Sequence, residues 1–109
     1  MTRTVDLVIV GAGAAATAAA IDAVRRGMRV LIVIGAGDAG LARRLRRSLR
    51  STGAPEGREA VVVTGAEVAC VDGVNGVEAV LVRDVRTGRL TGFNATSFLD
   101  YRARAREPG

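Results

Sequence analysis

Apolar residues fall in short blocks whose period changes partway along the chain. Val5-Asp6-Leu7-Val8-Ile9-Val10 and Arg29-Val30-Leu31-Ile32-Val33-Ile34 are nearly continuous apolar runs and predict buried strands. Between them lies an Ala-rich helical stretch from Ala14, closed by Asp22, Arg25 and Arg26. Leu41, Leu45 and Leu49 recur every four residues and predict an amphipathic helix from Leu41 to about Arg50. Ser51 to Glu59, with Gly53, Pro55 and Gly57, reads as a surface loop. Ala60 to Thr64 is a further buried strand. Glu67–Val71 and Val77–Arg83 read as strands joined by an Asn75-Gly76 hairpin turn. Thr87-Gly88 makes another turn, Leu90–Ala95 returns as a strand, and Ser97-Phe98-Leu99 adds a last short one. Residues 1–101 form one domain in this reading, and 102–109 form a polar tail.

The turn after the first strand carries the candidate chemistry. Gly11-Ala12-Gly13-Ala14-Ala15-Ala16 is a G-x-G-x-x-A motif with a strand before it, a helix after it and a second strand at the right distance. Gly11 can take the angles of a tight turn. Gly13 lets a pyrophosphate approach the main chain. The opening turn of the helix offers unpaired N–H groups and a partly positive dipole end. Ala16 is small enough for close packing of helix on strand. The pattern points to FAD or NAD(P) as cofactor.

The acid that should close the second strand and hold the adenosine ribose is missing. Ile34 and Gly35 stand there, and Asp38, four residues past Ile34, is the substitute. Gly35-Ala36-Gly37-Asp38-Ala39-Gly40 is a second G-x-G-x-x-G. Its downstream acid, Glu67, lies about 30 residues on, a poorer spacing, so the first motif ranks ahead as the pyrophosphate turn and the second borders the ribose or is a flexible turn.

Composition narrows the function classes. Of 109 residues, 49% are hydrophobic and only 3% aromatic, which predicts a core of Val, Leu, Ile and Ala. No apolar run is long enough to span a membrane, and no signal-peptide pattern opens the chain, so the expected location is cytoplasmic. Cys70 is alone, which removes any internal disulfide or C-x-x-C pair; its Val-rich surroundings predict a buried thiol. There is no histidine, and no residue stands out as a general acid or base or as a metal ligand. All 16 basic residues are arginine. Arg43, Arg44, Arg46, Arg47 and Arg50 cover the polar side of the second helix. They read as a solvated face, or Arg43 and Arg44 as a fork for the 2′-phosphate of NADP. The lack of a nucleic-acid motif and of aromatic stacking residues argues against a nucleic-acid partner.

From about Thr4 to Tyr101 the order of elements resembles the FAD/NAD(P)-binding domains of thioredoxin reductase-like pyridine nucleotide–disulfide oxidoreductases. The segments that carry the likeness are Val5–Ala20 and the hairpin from Val77 to Phe93. It implies an α/β, Rossmann-like parallel sheet with a β-meander in three layers, and FAD as the first-choice cofactor. It also implies that the backbone near Glu67 and Val68 lies beside adenine. The chain has room for one such domain and no redox cysteine pair, so the resemblance implies a cofactor-binding module rather than a complete enzyme. A second flavoprotein subunit or a homodimer would be the partner. The other reading is a non-catalytic, degenerate Rossmann-like domain used for protein or nucleic-acid contact through the arginine helix.

Overall fold

The computed structural model describes residues 3–51, 60–74 and 76–102. The expected loop between the second helix and the next strand, Asn75 of the hairpin turn, and the tail beyond Arg102 lie outside them. The elements in chain order are β1 (Arg3–Thr4), β2 (Leu7–Val10), α1 (Ala14–Arg25), β3 (Val30–Ile34), α2 (Ala39–Arg50), β4 (Val61–Thr64), β5 (Ala66–Asp72), β6 (Ala79–Asp84), β7 (Leu90–Asn94) and β8 (Ser97–Asp100). A single 3-10 turn, Ala36–Asp38, leads into α2.

The strands form two sheets. One is fully parallel in the order β4-β3-β2-β8. The other has the order β1-β7-β6-β5, an antiparallel meander to which β1 adds in parallel. Side-chain alternation in the central strands explains why both runs are apolar throughout. Leu7 and Ile9 of β2, with Val30, Ile32 and Ile34 of β3, face the helices. Val8 and Val10, with Leu31 and Val33, face the meander. The parallel sheet is therefore the middle of three layers, the α/β architecture that the sequence predicts.

The helix layer is held close by small residues. Ala16, Ala20 and Ala23 of α1 are buried in the same cluster as the helix-facing strand residues. On α2 the buried positions are Ala42, Leu45 and Leu49. The predicted stripe of Leu41, Leu45 and Leu49 is thus corrected at its first member: Leu41 is 38% exposed and Ala42 takes the core position. Spacings of three and four keep the contact line straight along a helix of 3.6 residues per turn, whereas repeated fours drift around it.

Three strand details differ from the pattern-based reading. The first apolar run is divided at Asp6: Arg3–Thr4 joins the meander and Leu7–Val10 the parallel sheet. The β5–β6 connection is longer than a two-residue hairpin. Asp72 pairs with Ala79, and the Glu78 N–H closes the loop by donating to Asp72 O at 2.8 Å. Val77 leaves the ladder and packs against the core between the sheets.

The third difference concerns Cys70, which is exposed rather than buried. Val68 pairs with Val82, but Cys70 pairs with Leu81, so a bulge at Ala69 shifts the register by one. Without it, Cys70 would share the inward face of Val68. With it, the strand's parity flips and Cys70 lies beside Leu81 on the outer face.

Candidate functional site

All four parallel strands end on one edge, where Gly11, Gly35, Gly65 and Tyr101 follow Val10, Ile34, Thr64 and Asp100. The chain leaves β2 for β3 on one side, while β8 arrives on the other. That edge, beside β2, is a topological switch point, the usual ligand position in open α/β sheets.

Gly11 makes the turn out of β2. Its φ is +123°, and a Cβ there would lie 3.2 Å from the Cβ of Tyr101. Its N–H donates to Val33 O at 3.1 Å. Gly13 is the N-cap of α1, with no side-chain cap and no acid in the first turn. The first main-chain bond of the helix runs from Thr17 N–H to Gly13 O at 3.0 Å. The amides of Ala14, Ala15 and Ala16 therefore precede the ladder and have no carbonyl one turn back. A Cβ added at Gly13 would meet nothing within 4 Å. Gly13, Ala14 and Ala15 are exposed, while Ala16 is buried against the sheet. These residues suit the diphosphate of a dinucleotide: open space, free amides and a small residue packed beneath.

The ribose end is different. Ile34 is fully buried in the helix-side core, so its position is committed to packing. Gly35 has φ −66°, and the second glycine motif winds into the 3-10 turn and the start of α2 instead of forming an open loop. Asp38 is the exposed N-cap of α2, and its carboxylate makes no cap hydrogen bond. No carboxylate closes β3.

A groove of about 400 Å³ runs from the start of α1 along the crease with α2. It brings Ala12, Gly13 and Ala14 together with Arg44. Gly35, Asp38, Arg43 and Val68 do not line it. The two arginines predicted to act as a pair are thus separated. Arg46 is directed elsewhere, its Nη2 donating to Val62 O of β4 at 3.2 Å. Val68 packs against the core between the sheets, and Glu67 pairs with Arg83 at 3.3 Å.

Pattern reading missed Asp100, Tyr101 and Arg102. The Tyr101 N–H donates to Val10 O at 2.9 Å and extends the β8 ladder up to the glycine turn. Arg102 binds Asp100 through Nη2 (3.0 Å), Nε (3.2 Å) and its main-chain N–H (2.9 Å). The Arg102 side-chain hydrogen bond holds the Asp100 carboxyl below its ordinary range and, reciprocally, raises the guanidinium. The clue was available in the short run Ser97–Leu99: a strand placed beside the first one delivers its following residues to Gly11.

Among the described residues no group of His, Cys, Asp and Glu is placed to hold a metal. No helix among them is long and apolar enough to cross a membrane.

No protein-family model matches the sequence, and no curated protein does. Solved structures with the same fold are numerous. Thioredoxin reductase from T. acidophilum superposes with a TM-score of 0.69 at 18% identity, over 89% of this chain and 30% of that one. Thioredoxin reductase from Streptococcus pyogenes gives 0.65 at 20% identity, over 92% and 31%. The myxobacterial chondrochloren halogenase, described as a variant of FAD-dependent halogenases, gives 0.64 at 16% identity, over 90% and 37%. The chain spans about a third of the length of these structures. Its fold is that of the Rossmann-like, meander-bearing portion of flavoprotein oxidoreductases.

Proposed function

We propose that the chain is a dinucleotide-binding module of a flavoprotein oxidoreductase, with FAD as its cofactor and NADP or NAD as the alternatives. One observation carries the reading. The Gly11–Ala16 turn stands at the C-terminal edge of a parallel sheet, and the uncapped start of α1 faces open space at Gly13. Gly13, Ala14 and Ala15 would hold the diphosphate through main-chain N–H groups, and Ala16 would keep the helix close to the sheet. Asp38 is the available acceptor for the ribose hydroxyls, and the backbone near Val68 the nearest counterpart of an adenine contact. Bound FAD would supply the hydride chemistry. This chain's own residues bind and orient; none of them is assigned a proton-transfer role. A second flavoprotein subunit, a second copy of the chain, or the remainder of a longer protein would complete the reaction site.

A second reading, contact with an acidic partner through α2, is favoured by a separate observation. Arg43, Arg47 and Arg50 are exposed. The absorption spectrum of protein incubated with FAD and then desalted decides between the two. Retention of the visible flavin bands, in proportion to protein, supports the module with FAD; a colourless protein that also fails to bind NADP or NAD in titration favours the second reading.

A further inference from the structure

We propose that Arg44 neutralises the cofactor diphosphate, so that it governs affinity for every dinucleotide and not the choice between NADP and NAD. The proposal rests on the reading that the Gly11–Ala16 turn takes a dinucleotide, and it assigns a role to a residue on a different helix. Leu41, Arg44 and Ser48, at i, i+3 and i+7, form the face of α2 that lines the groove. Arg43 lies about 100° away around the helix and points out of it. Among the described residues Arg44 is the only charged group on the groove wall, and it lines the same groove as Gly13 and Ala14. It makes no hydrogen bond or ion pair with any described residue. The neighbouring hydroxyl of Thr17 is already used, donating to Gly13 O at 3.0 Å.

The position of the ribose excludes the 2′-phosphate role. In a βαβ dinucleotide fold the adenosine ribose sits at the end of the second strand of the unit, here β3. The residues at that end, Gly35 and Asp38, do not line the groove that holds Arg44. A 2′-phosphate hangs from the ribose and would lie with them. The diphosphate lies at the start of α1, which borders the groove that Arg44 lines. A diphosphate carries two charges; the helix end offers only about half a positive charge, and a guanidinium fork meets the remainder through paired N–H bonds.

Calorimetric titrations of FAD, NADP, NAD and ADP into wild type, Arg44→Ala, Arg44→Lys and Arg43→Ala test this. Circular dichroism establishes that each variant is folded. Arg44→Ala should weaken whichever of these ligands the wild type binds by a similar factor, roughly 10- to 100-fold for loss of a charge-assisted contact. The NADP-to-NAD ratio should stay unchanged. Arg44→Lys should fall between, because it keeps a point charge without the fork. Arg43→Ala should match wild type. A loss confined to NADP, or wild-type affinity in Arg44→Ala, overturns the proposal and leaves the module reading standing. A wild-type protein that binds none of the four ligands overturns both.

Discussion

Replacing Gly11 and Gly13 one at a time should separate two jobs that the glycine turn performs. Gly11 holds φ +123°, where an L side chain is strained, and its Cβ would stand 3.2 Å from the Tyr101 Cβ. Tyr101 has little room to give, because its N–H is tied to Val10 O at 2.9 Å and it is partly buried against the helix-side core. Sparsely populated backbone angles cost about 1–3 kcal/mol. For a domain of this size each kcal/mol moves the melting temperature by about 4–8 °C, so Gly11→Ala should melt on the order of 5–20 °C lower than wild type. Gly13 is the contrary case. Its φ of −85° and ψ of −173° suit any residue, and nothing lies within 4 Å of an added Cβ. Gly13→Val should therefore melt within a few degrees of wild type, the residual loss reflecting a poorer N-cap. Its branched side chain would instead occupy the space offered to the diphosphate. Loss of even one amide bond to a charged group is worth about 1.5–3 kcal/mol, on the order of 10–100-fold in affinity. Thermal melts without ligand, followed by FAD titration, read both quantities. A Gly13→Val protein that binds FAD like wild type would falsify the placement of the diphosphate at α1. A Gly11→Ala protein that melts with wild type would show that the turn relaxes more freely than its geometry implies.

Acid sensitivity follows from three aspartates held below the usual carboxylate range. Asp6 is lowered chiefly by the main-chain N–H of Arg29, Asp84 by that of Thr87, and Asp100 by the Arg102 side chain. Their contribution is complete above the unfolded value, about pH 4, and is lost as pH falls through their lower folded values. Urea unfolding at pH 7 and at pH 3 should show the loss, and Asp6→Asn should be weaker at pH 7 with a flatter acid limb. A steeper acid limb in that variant would count against the assignment. Cys70, exposed at the bulge, should react with a thiol reagent in the native state, and Cys70→Ser should leave stability within about 0.5 kcal/mol, the usual range for surface sites. Labelling only after unfolding would restore the buried assignment.

Periodicity made the layer order legible because each layer writes its own pattern. Strands buried on both faces read as unbroken apolar runs, and β2 and β3 do so. The helices declared themselves through Ala16, Ala20 and Ala23, and through Leu45 and Leu49. Cys70 was not legible, since one added residue at Ala69 inverts which face a strand presents and composition carries no trace of that. Ile34 was legible only as an omission. The missing ribose acid is visible in the sequence, but its physical meaning, a side chain fully buried in the helix-side core, needs the packing.

The site depends on a relation that no local pattern contains. Asp6 interrupts an apolar run, and the reason lies 23 and 90 residues away. Its carboxylate accepts the Arg29 N–H at 2.7 Å, and its carbonyl accepts the Thr96 hydroxyl at 2.8 Å and the Ser97 N–H at 3.1 Å. At this point the chain crosses between the sheets twice, once from β1 to β2 and once from β7 to β8, and the two crossings run side by side. The Val5 N–H donates to Asn94 O at 2.8 Å between them. That pairing sets β8 beside β2 in the register Leu7–Ser97 through Val10–Asp100. The register in turn delivers Tyr101 to Gly11. The neighbour that confines the glycine turn is therefore chosen by how the meander returns, and Asp6 fixes that return.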